Sequence, residues 1–260
     1  MKELVPAYDI KYDAKNHRYF LDGKRLCSVT TYTGIIDKSA ALMYWSARVS
    51  LEHVAKTLVE IRKNENWIEL LDELTQRLMV EDGYKSVFKE AQDAQKTEKE
   101  IAAAWGNRIH DLIETKNKGG KINIAKEVSQ VRLGMTAYLD WESKVDFKPI
   151  YSELLVASKI LGYAGRLDAI GYVNGILSLV DYKSCNGLYV SNKAQVAGYY
   201  QAGLEMYPKQ VFDEIKNFWV IRFGKVAGEF EDKQILDIEP EIRAFNDCRS
   251  LYKWNQIKWK

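Results

Sequence analysis

Residues 162–184, GYAGRLDAIGYVNGILSLVDYKS, constrain this chain more than any other stretch. Asn174-Gly175 carries the signal of a two-residue type I′ turn, which needs left-handed backbone at both positions and so favours Asn followed by Gly. With that turn Val173 faces Ile176. Counting outward, Asp168 faces Asp181 and Arg166 faces Lys183. Opposed side chains have Cβ atoms about 4.5–5.5 Å apart, and like charges there oppose pairing. Two carboxylates about 4 Å apart repel by roughly 4 kcal/mol at an effective dielectric near 20. A chain that keeps this pair needs positive charge beside it, and two hard oxygen ligands suit a divalent cation. Alternation puts Arg166 and Lys183 on the same face, so a solvated surface of mutually neutralising acids and bases explains the hairpin equally well. On these residues alone both readings stay open.

Composition narrows the class. The chain has 260 residues, 47% hydrophobic and 28% charged, enough to bury a sizeable core. Lys and Arg number 38 against 36 Asp and Glu, a net charge of +2 that argues against a histone-like or polybasic tail but leaves room for a local basic groove. Cys27, Cys185 and Cys248 are scattered without a CxxC spacing. That pattern argues against a disulfide framework, a zinc ribbon or an iron–sulfur cluster, and fits a reducing compartment. The longest uncharged run, 169–180, is too short to span a membrane. The opening MKELVPAYDI has neither the apolar core of a signal peptide nor the bias of a transit peptide. The expectation is a cytoplasmic protein with no membrane partner.

Along the chain, residues 10–32 read as hairpin material, with turn signals at Lys15-Asn16 and Asp22-Gly23. From about 39 to 145 apolar residues recur at three- and four-residue steps (Leu42, Trp45, Val49, then Val54, Leu58, Ile61), with breaks near Asn64 and Gly83. A long helix is predicted from about Tyr84 to Gly119-Gly120, and another over 124–145. After Pro149 the pattern turns strand-rich. Strands are predicted at about 150–158, 163–173, 176–184, 215–223 and 226–231, with helices at 191–206 and from Pro240. This order predicts an α/β fold, a mixed sheet flanked by helices. Its expected organisation is an N-terminal hairpin and helical cap region over 1–99 and a core over 100–260, together forming one compact unit.

Two helical pairs are candidate companions of the hairpin. His110 and Glu114 are four residues apart and share a helix face, so a buried imidazole satisfied by Glu114 is the plain reading of that pair. The spacing is not HExxH and gives no support to a metalloprotease. Gln195 and Tyr199 form a second such pair, on a helix that begins shortly after the Asp181/Lys183 strand.

Taken in order, GxxxH at 106–110, GRLD at 165–168, DYK at 181–183 and QxxxY at 195–199 resemble the four motifs of RecB-type nucleases of the PD-(D/E)XK superfamily. The segment HRYFLDGKRLCSVT at 17–30, with Trp45, is similar to phage-type exonucleases of that superfamily, and the core motifs are shared with mitochondrial genome maintenance exonucleases. The resemblance runs from about residue 100 to 206. It implies a restriction-endonuclease-like core and a Mg²⁺ or Mn²⁺ ion held by His110, Asp168, Asp181 and the carbonyl of Tyr182. Lys183 would be catalytic together with Asp181 and Asp168. Gln195 and Tyr199 would bind substrate, joined by Arg166 and Ser184 at neighbouring phosphates, with Glu114 and Glu153 in support. The implied activity is metal-dependent hydrolysis of DNA from free or single-stranded ends, in phage or bacterial replication, recombination or repair. The cell would be bacterial or phage-infected, with a replication or recombination protein as a further partner. The cluster cysteines of some relatives and any GxxxxGK[ST] motor motif are absent from the sequence. An endonuclease on the same fold, or an inactive DNA-binding recombination subunit, are the alternatives. The aromatic and basic tail at 252–260 could touch DNA, although a packed helix end with a solvated tip accounts for it as well.

Overall fold

The computed structural model describes residues 4–36, 39–80, 83–185, 187–224 and 229–257. The Leu42 side chain, the start of the strand expected at 226–231 and residues 258–260 of the tail lie outside the described residues. The chain divides into two compact units, Met1–Ile36 with Trp105–Lys260, and Asp37–Ala104.

The smaller unit is helical. It holds α2 (Ser39–Lys63), α3 (Trp67–Met79) and the first part of α4 (Gly83–Asn117). Gln95 of α4 donates through Nε2 to Ser50 Oγ (2.6 Å) and to the Ser46 carbonyl (3.1 Å) of α2, while Arg77 of α3 pairs with Glu90 of α4 at 2.7 Å.

The larger unit is built on one eight-stranded mixed sheet. Strands β1 (Lys11–Asp13), β2 (Arg18–Leu21) and β3 (Lys24–Ser28) form the N-terminal meander. Asp22 and Gly23 both take left-handed backbone in the β2–β3 turn, as the sequence predicts. Strands β4 (Lys148–Ser158), β5 (Tyr163–Val173), β6 (Ile176–Lys183), β7 (Asn217–Phe223) and β8 (Phe230–Ile235) complete the sheet. Asn174 (φ 49°) and Gly175 (φ 78°) are left-handed, and Val173 pairs with Ile176, so the hairpin register follows the turn residues.

The central strand β5 organises the rest. One edge pairs with β4 over nearly its whole length. The other edge is shared: β3 pairs with it in parallel at Tyr163 and Ala164, and β6 pairs with it from Val173 back to Ala169. Between these contacts the sheet forks, because β6 continues alongside β7 as far as Lys183 paired with Arg222.

Each sheet face has its own core. On one face α1 (Val29–Thr33), α6 (Val190–Met206) and α8 (Glu239–Asn255) cover the sheet, with Val29, Tyr32, Val196, Tyr199 and Phe245 buried. On the other, the end of α4 and α5 (Ser129–Lys144) bury Ile109, Ile113, Met135, Tyr138 and Trp141 against Ala169, Val180, Tyr182 and Phe223. Coverage on both faces is why β5 and β6 read as nearly unbroken apolar runs. Among the described residues no helix is long and apolar enough to cross a membrane.

Two boundaries differ from the sequence reading. The helix expected over 124–145 begins as a single 3₁₀ turn at Ile124–Lys126, where Asn123 Oδ1 accepts from the Ala125 N–H, and the α-helix starts only at Ser129. Among the described residues the last strand runs over Phe230–Ile235, past the expected end at 231, an edge strand whose FEDKQI sequence carries little apolar alternation.

Gly165 sets how closely α6 approaches β5. A methyl at that position would lie 2.5 Å from Tyr199 Cε1 and 3.1 Å from Val29 Cγ2, in a buried site. Gly165→Ala is expected to lower unfolding free energy by about 1–3 kcal/mol through overpacking, measured by urea denaturation. An unchanged midpoint would show that α6 can shift freely.

Candidate functional site

The ionisable side chains gather at the fork. The expected ladder of Asp168 with Asp181 and Arg166 with Lys183 is replaced there, because regular β5–β6 pairing stops at Ala169 and Val180. Beyond that point the Tyr182 N–H, pointing toward β5, is taken up by Asp168 Oδ2 at 2.6 Å. A side-chain carboxylate thus satisfies an amide that the ladder has released, as a buried backbone donor requires.

His110 reaches the same carboxylate from α4. Its Nδ1 lies 3.2 Å from Asp168 Oδ1 and 3.9 Å from Glu153 Oε1. The plain reading that paired His110 with Glu114 is corrected by these contacts: Glu114 forms its ion pair with Lys118 one turn along the helix. Glu153 comes from β4. The register places it across from Asp168, between the pairs Ser152–Ala169 and Leu154–Leu167. Its backbone is left-handed (φ 53°), an uncommon state for a side chain other than glycine and a departure from the regular pleat. Its other oxygen, Oε2, takes a 2.6 Å ion pair from Arg166 Nε. Arg166 therefore serves Glu153 rather than standing opposite Lys183.

Asp181 and Lys183 form the other half of the cluster. They lie two residues apart on one face of β6 and are ion-paired, and Lys183 Nζ also donates to the Tyr182 carbonyl at 3.3 Å. Asp181 is almost completely buried; its Oδ2 meets the Lys183 ammonium, and its Oδ1 has no hydrogen-bond partner among the described residues. From α6, Gln195 Nε2 donates to Tyr199 Oη at 2.8 Å, leaving the tyrosine proton available. Ser184 sits just beyond Lys183, where a methyl on Gly106 of α4 would collide with its Oγ.

The electrostatics follow from this packing. Burial opposes charge on His110, but Asp168 and Glu153 outweigh it and raise the imidazole pKa to about 10. Burial also pushes against ionised Asp168, yet His110, Lys183 and the Tyr182 N–H hold it below the usual carboxylate range. Asp181 goes the other way: burial, aided by the charge on Asp168, lifts it to about 7 despite Lys183. Glu153 is raised by burial as well. Lys183 is buried, which disfavours its charge, but Asp181 and Asp168 raise its pKa and keep it protonated. The His110 ion pair contributes stability in full below its unfolded value of 6.5, and that contribution is lost as pH rises through about 10.

The donor set fits a hard divalent cation. One atom each from His110, Glu153 and Asp168 lie within 4.8 Å of one another, and Asp181 adds a buried carboxylate whose Oδ1 is unsatisfied among the described residues. From the family resemblance Glu153 is expected only in a supporting place. A single acid within SELLVAS was the available signal, but the four-residue link between β4 and β5 does not fix register as a two-residue turn does.

No family model matches the sequence, and no curated protein matches it. Among solved structures the chain is similar to the "Putative exonuclease" from Eubacterium rectale, at 7% identity and a TM-score of 0.37, over 58% of this chain and 65% of that one. It is also similar to the protein SSO0001, at 16% identity and a TM-score of 0.28, over 46% of this chain and 57% of that one. In both cases the shared region is less than two thirds of the solved chain.

A cation at this site would have to displace the His110 proton and compete with the partial protonation of Asp181, so its affinity should rise with pH. Calorimetric titration with Mn²⁺ is expected to show proton release near pH 7, with affinity growing about tenfold per pH unit for each proton released. Equal affinity at about pH 6 and about pH 8 would remove His110 and Asp181 from the ligand set.

Proposed function

We propose that this protein is a metal-dependent nuclease that hydrolyses DNA phosphodiester bonds from free or single-stranded ends. The observation that carries the reading is the convergence of His110, Glu153, Asp168, Asp181 and Lys183 at one fork in the sheet. Together with the motif order GxxxH, GRLD, DYK and QxxxY, it supports a PD-(D/E)XK-type site.

In this reading His110, Asp168 and Asp181, with Glu153 and the Tyr182 carbonyl, hold Mg²⁺ or Mn²⁺. When bound, such an ion supplies Lewis acidity at a phosphoryl oxygen and lowers the pKa of water. The chain's own groups do the remaining work. Lys183 keeps its proton, which suits it to stabilise charge developing on the phosphate and to orient a water rather than to abstract a proton. Arg166 holds Glu153 in place through its ion pair. The Tyr199 hydroxyl, already accepting from Gln195, retains a proton to donate toward substrate or carboxylate. Ser184, beside Lys183, is placed to meet an adjacent phosphate. The site would serve phage or bacterial DNA replication, recombination or repair.

End-labelled single-stranded and duplex DNA, with covalently closed circles alongside, tests the reading in Mg²⁺, Mn²⁺ and EDTA. Linear DNA is expected to be degraded only with metal, and closed circles to survive. Asp181→Ala and Lys183→Ala should each lower the rate by at least about 10²–10³-fold while circular dichroism shows an intact fold. Cleavage of closed circles would assign an endonuclease, and binding without cleavage in any metal would assign an inactive DNA-binding subunit.

A further inference from the structure

Of the groups in the proposed metal set, Glu153 is the one that its strand aims least. Its backbone leaves the pleat at φ 53°, and His110 Nδ1 stands 3.9 Å from its Oε1, a longer contact than a hydrogen bond. The close contact on the carboxylate is the 2.6 Å ion pair from Arg166 Nε to Oε2. The Arg166 side chain is itself 37% exposed, and fixing so long a chain costs rotamer freedom. Arg166 can hold Glu153 only where something holds the guanidinium.

The N-terminal meander supplies that hold. Strand β3 pairs with β5 only at Tyr163 and Ala164, and Ser28 then caps α1, its Oγ accepting from the Thr31 N–H at 3.0 Å. Arg166, two residues further along β5, lies past the end of that pairing. The registers bring Tyr12, Tyr19 and Leu26 into one row across β1, β2 and β3. The Arg166 guanidinium lies over the Tyr12 ring, 5.4 Å from its centroid and within cation–π range. That ring is fixed on two further sides. It stacks on Tyr19 at 4.9 Å, and its hydroxyl is hydrogen-bonded to His17 Nδ1 at 2.9 Å. Tyr19 feels the whole group: burial raises its pKa to about 12, with Tyr12 and Glu153 adding to the rise and Arg166 opposing it. Contacts thus run unbroken from the first strand of the sheet to Glu153.

We propose that Tyr12 is a positioning residue for the metal site, fixing the Arg166 guanidinium so that Arg166 fixes Glu153. The inference rests on the nuclease reading, in which Glu153 helps to hold the cation, and gives the N-terminal meander a part in building that site. Tyr12 acts through Arg166 and touches neither the ion nor the scissile phosphate.

The test is calorimetric titration of the full chain with Mn²⁺ at about pH 8, where proton competition is least, with thermal melts as a check on folding. Tyr12→Phe keeps the ring and Tyr12→Leu removes it. Neither alters charge, so a change in affinity reports position. Tyr12→Leu is expected to bind Mn²⁺ about two- to fivefold more weakly, the factor that a partly exposed cation–π contact carries. Tyr12→Phe should bind as the wild type does. Pentafluorophenylalanine in place of Tyr12 keeps the ring's shape but removes the negative face, and should weaken binding as Tyr12→Leu does even where that variant folds poorly. In an Arg166→Met background Tyr12→Leu should cause no further change, because it acts through a group already removed. DNA affinity in EDTA should be equal in wild type and Tyr12→Leu. Unchanged Mn²⁺ affinity in both ring variants, with wild-type protein binding the ion, overturns the positioning role and leaves the nuclease reading standing. So does an undiminished effect of Tyr12→Leu in the Arg166→Met background. Wild-type protein that binds no Mn²⁺ overturns both.

Discussion

The bond from the Tyr182 N–H to Asp168 Oδ2 is the contact on which the site depends. Where β6 parts from β5, a backbone donor inside the core would otherwise be left without an acceptor, at a cost of about 1–3 kcal/mol. Asp168 supplies that acceptor with one oxygen and turns the other toward His110. The same residue therefore closes the fork structurally and anchors the charged cluster, so the opening in the sheet and the chemistry in it cannot be separated.

The cluster balances itself. Glu153, Asp168 and Asp181 are set against His110, Arg166 and Lys183, each acid with at least one basic neighbour. Burial makes the balance uneven: Asp168 is held below the usual carboxylate range, whereas Asp181 is raised to about 7 and has one oxygen, Oδ1, without a partner among the described residues. Removing one member of such a buried set leaves an uncompensated charge, so variants here should be judged by fold as well as by rate. The uneven carboxylate is also the one a cation would most improve, since ligation would satisfy Asp181 Oδ1, which has no partner among the described residues.

Helices from both sheet faces reach this point because small residues let them approach. α4 brings His110 from one face, with Gly106 making room for Ser184. α6 brings Tyr199 and Gln195 from the other, with Gly165 making room for the Tyr199 ring. In a continuous ladder the two sets of side chains would lie on opposite sides of the backbone. The fork gives them a common centre.

The turn at Asn174-Gly175 fixed the β5–β6 register from sequence alone, because only left-handed backbone at both positions closes a two-residue hairpin with the right twist. The order of motifs likewise singled out His110, Asp168, Asp181 and Lys183. What the sequence could not reveal was where that register ends. Pairing stops at Ala169 because β6 follows β7 instead, a choice made by strands whose paired residues are 39 apart in the chain. Glu153 was obscured for the same kind of reason: its place across from Asp168 depends on a β4–β5 register that no tight turn dictates. Local backbone chemistry determined the hairpin. The competition between neighbouring strands for one edge of β5, which only the assembled sheet resolves, decided the site.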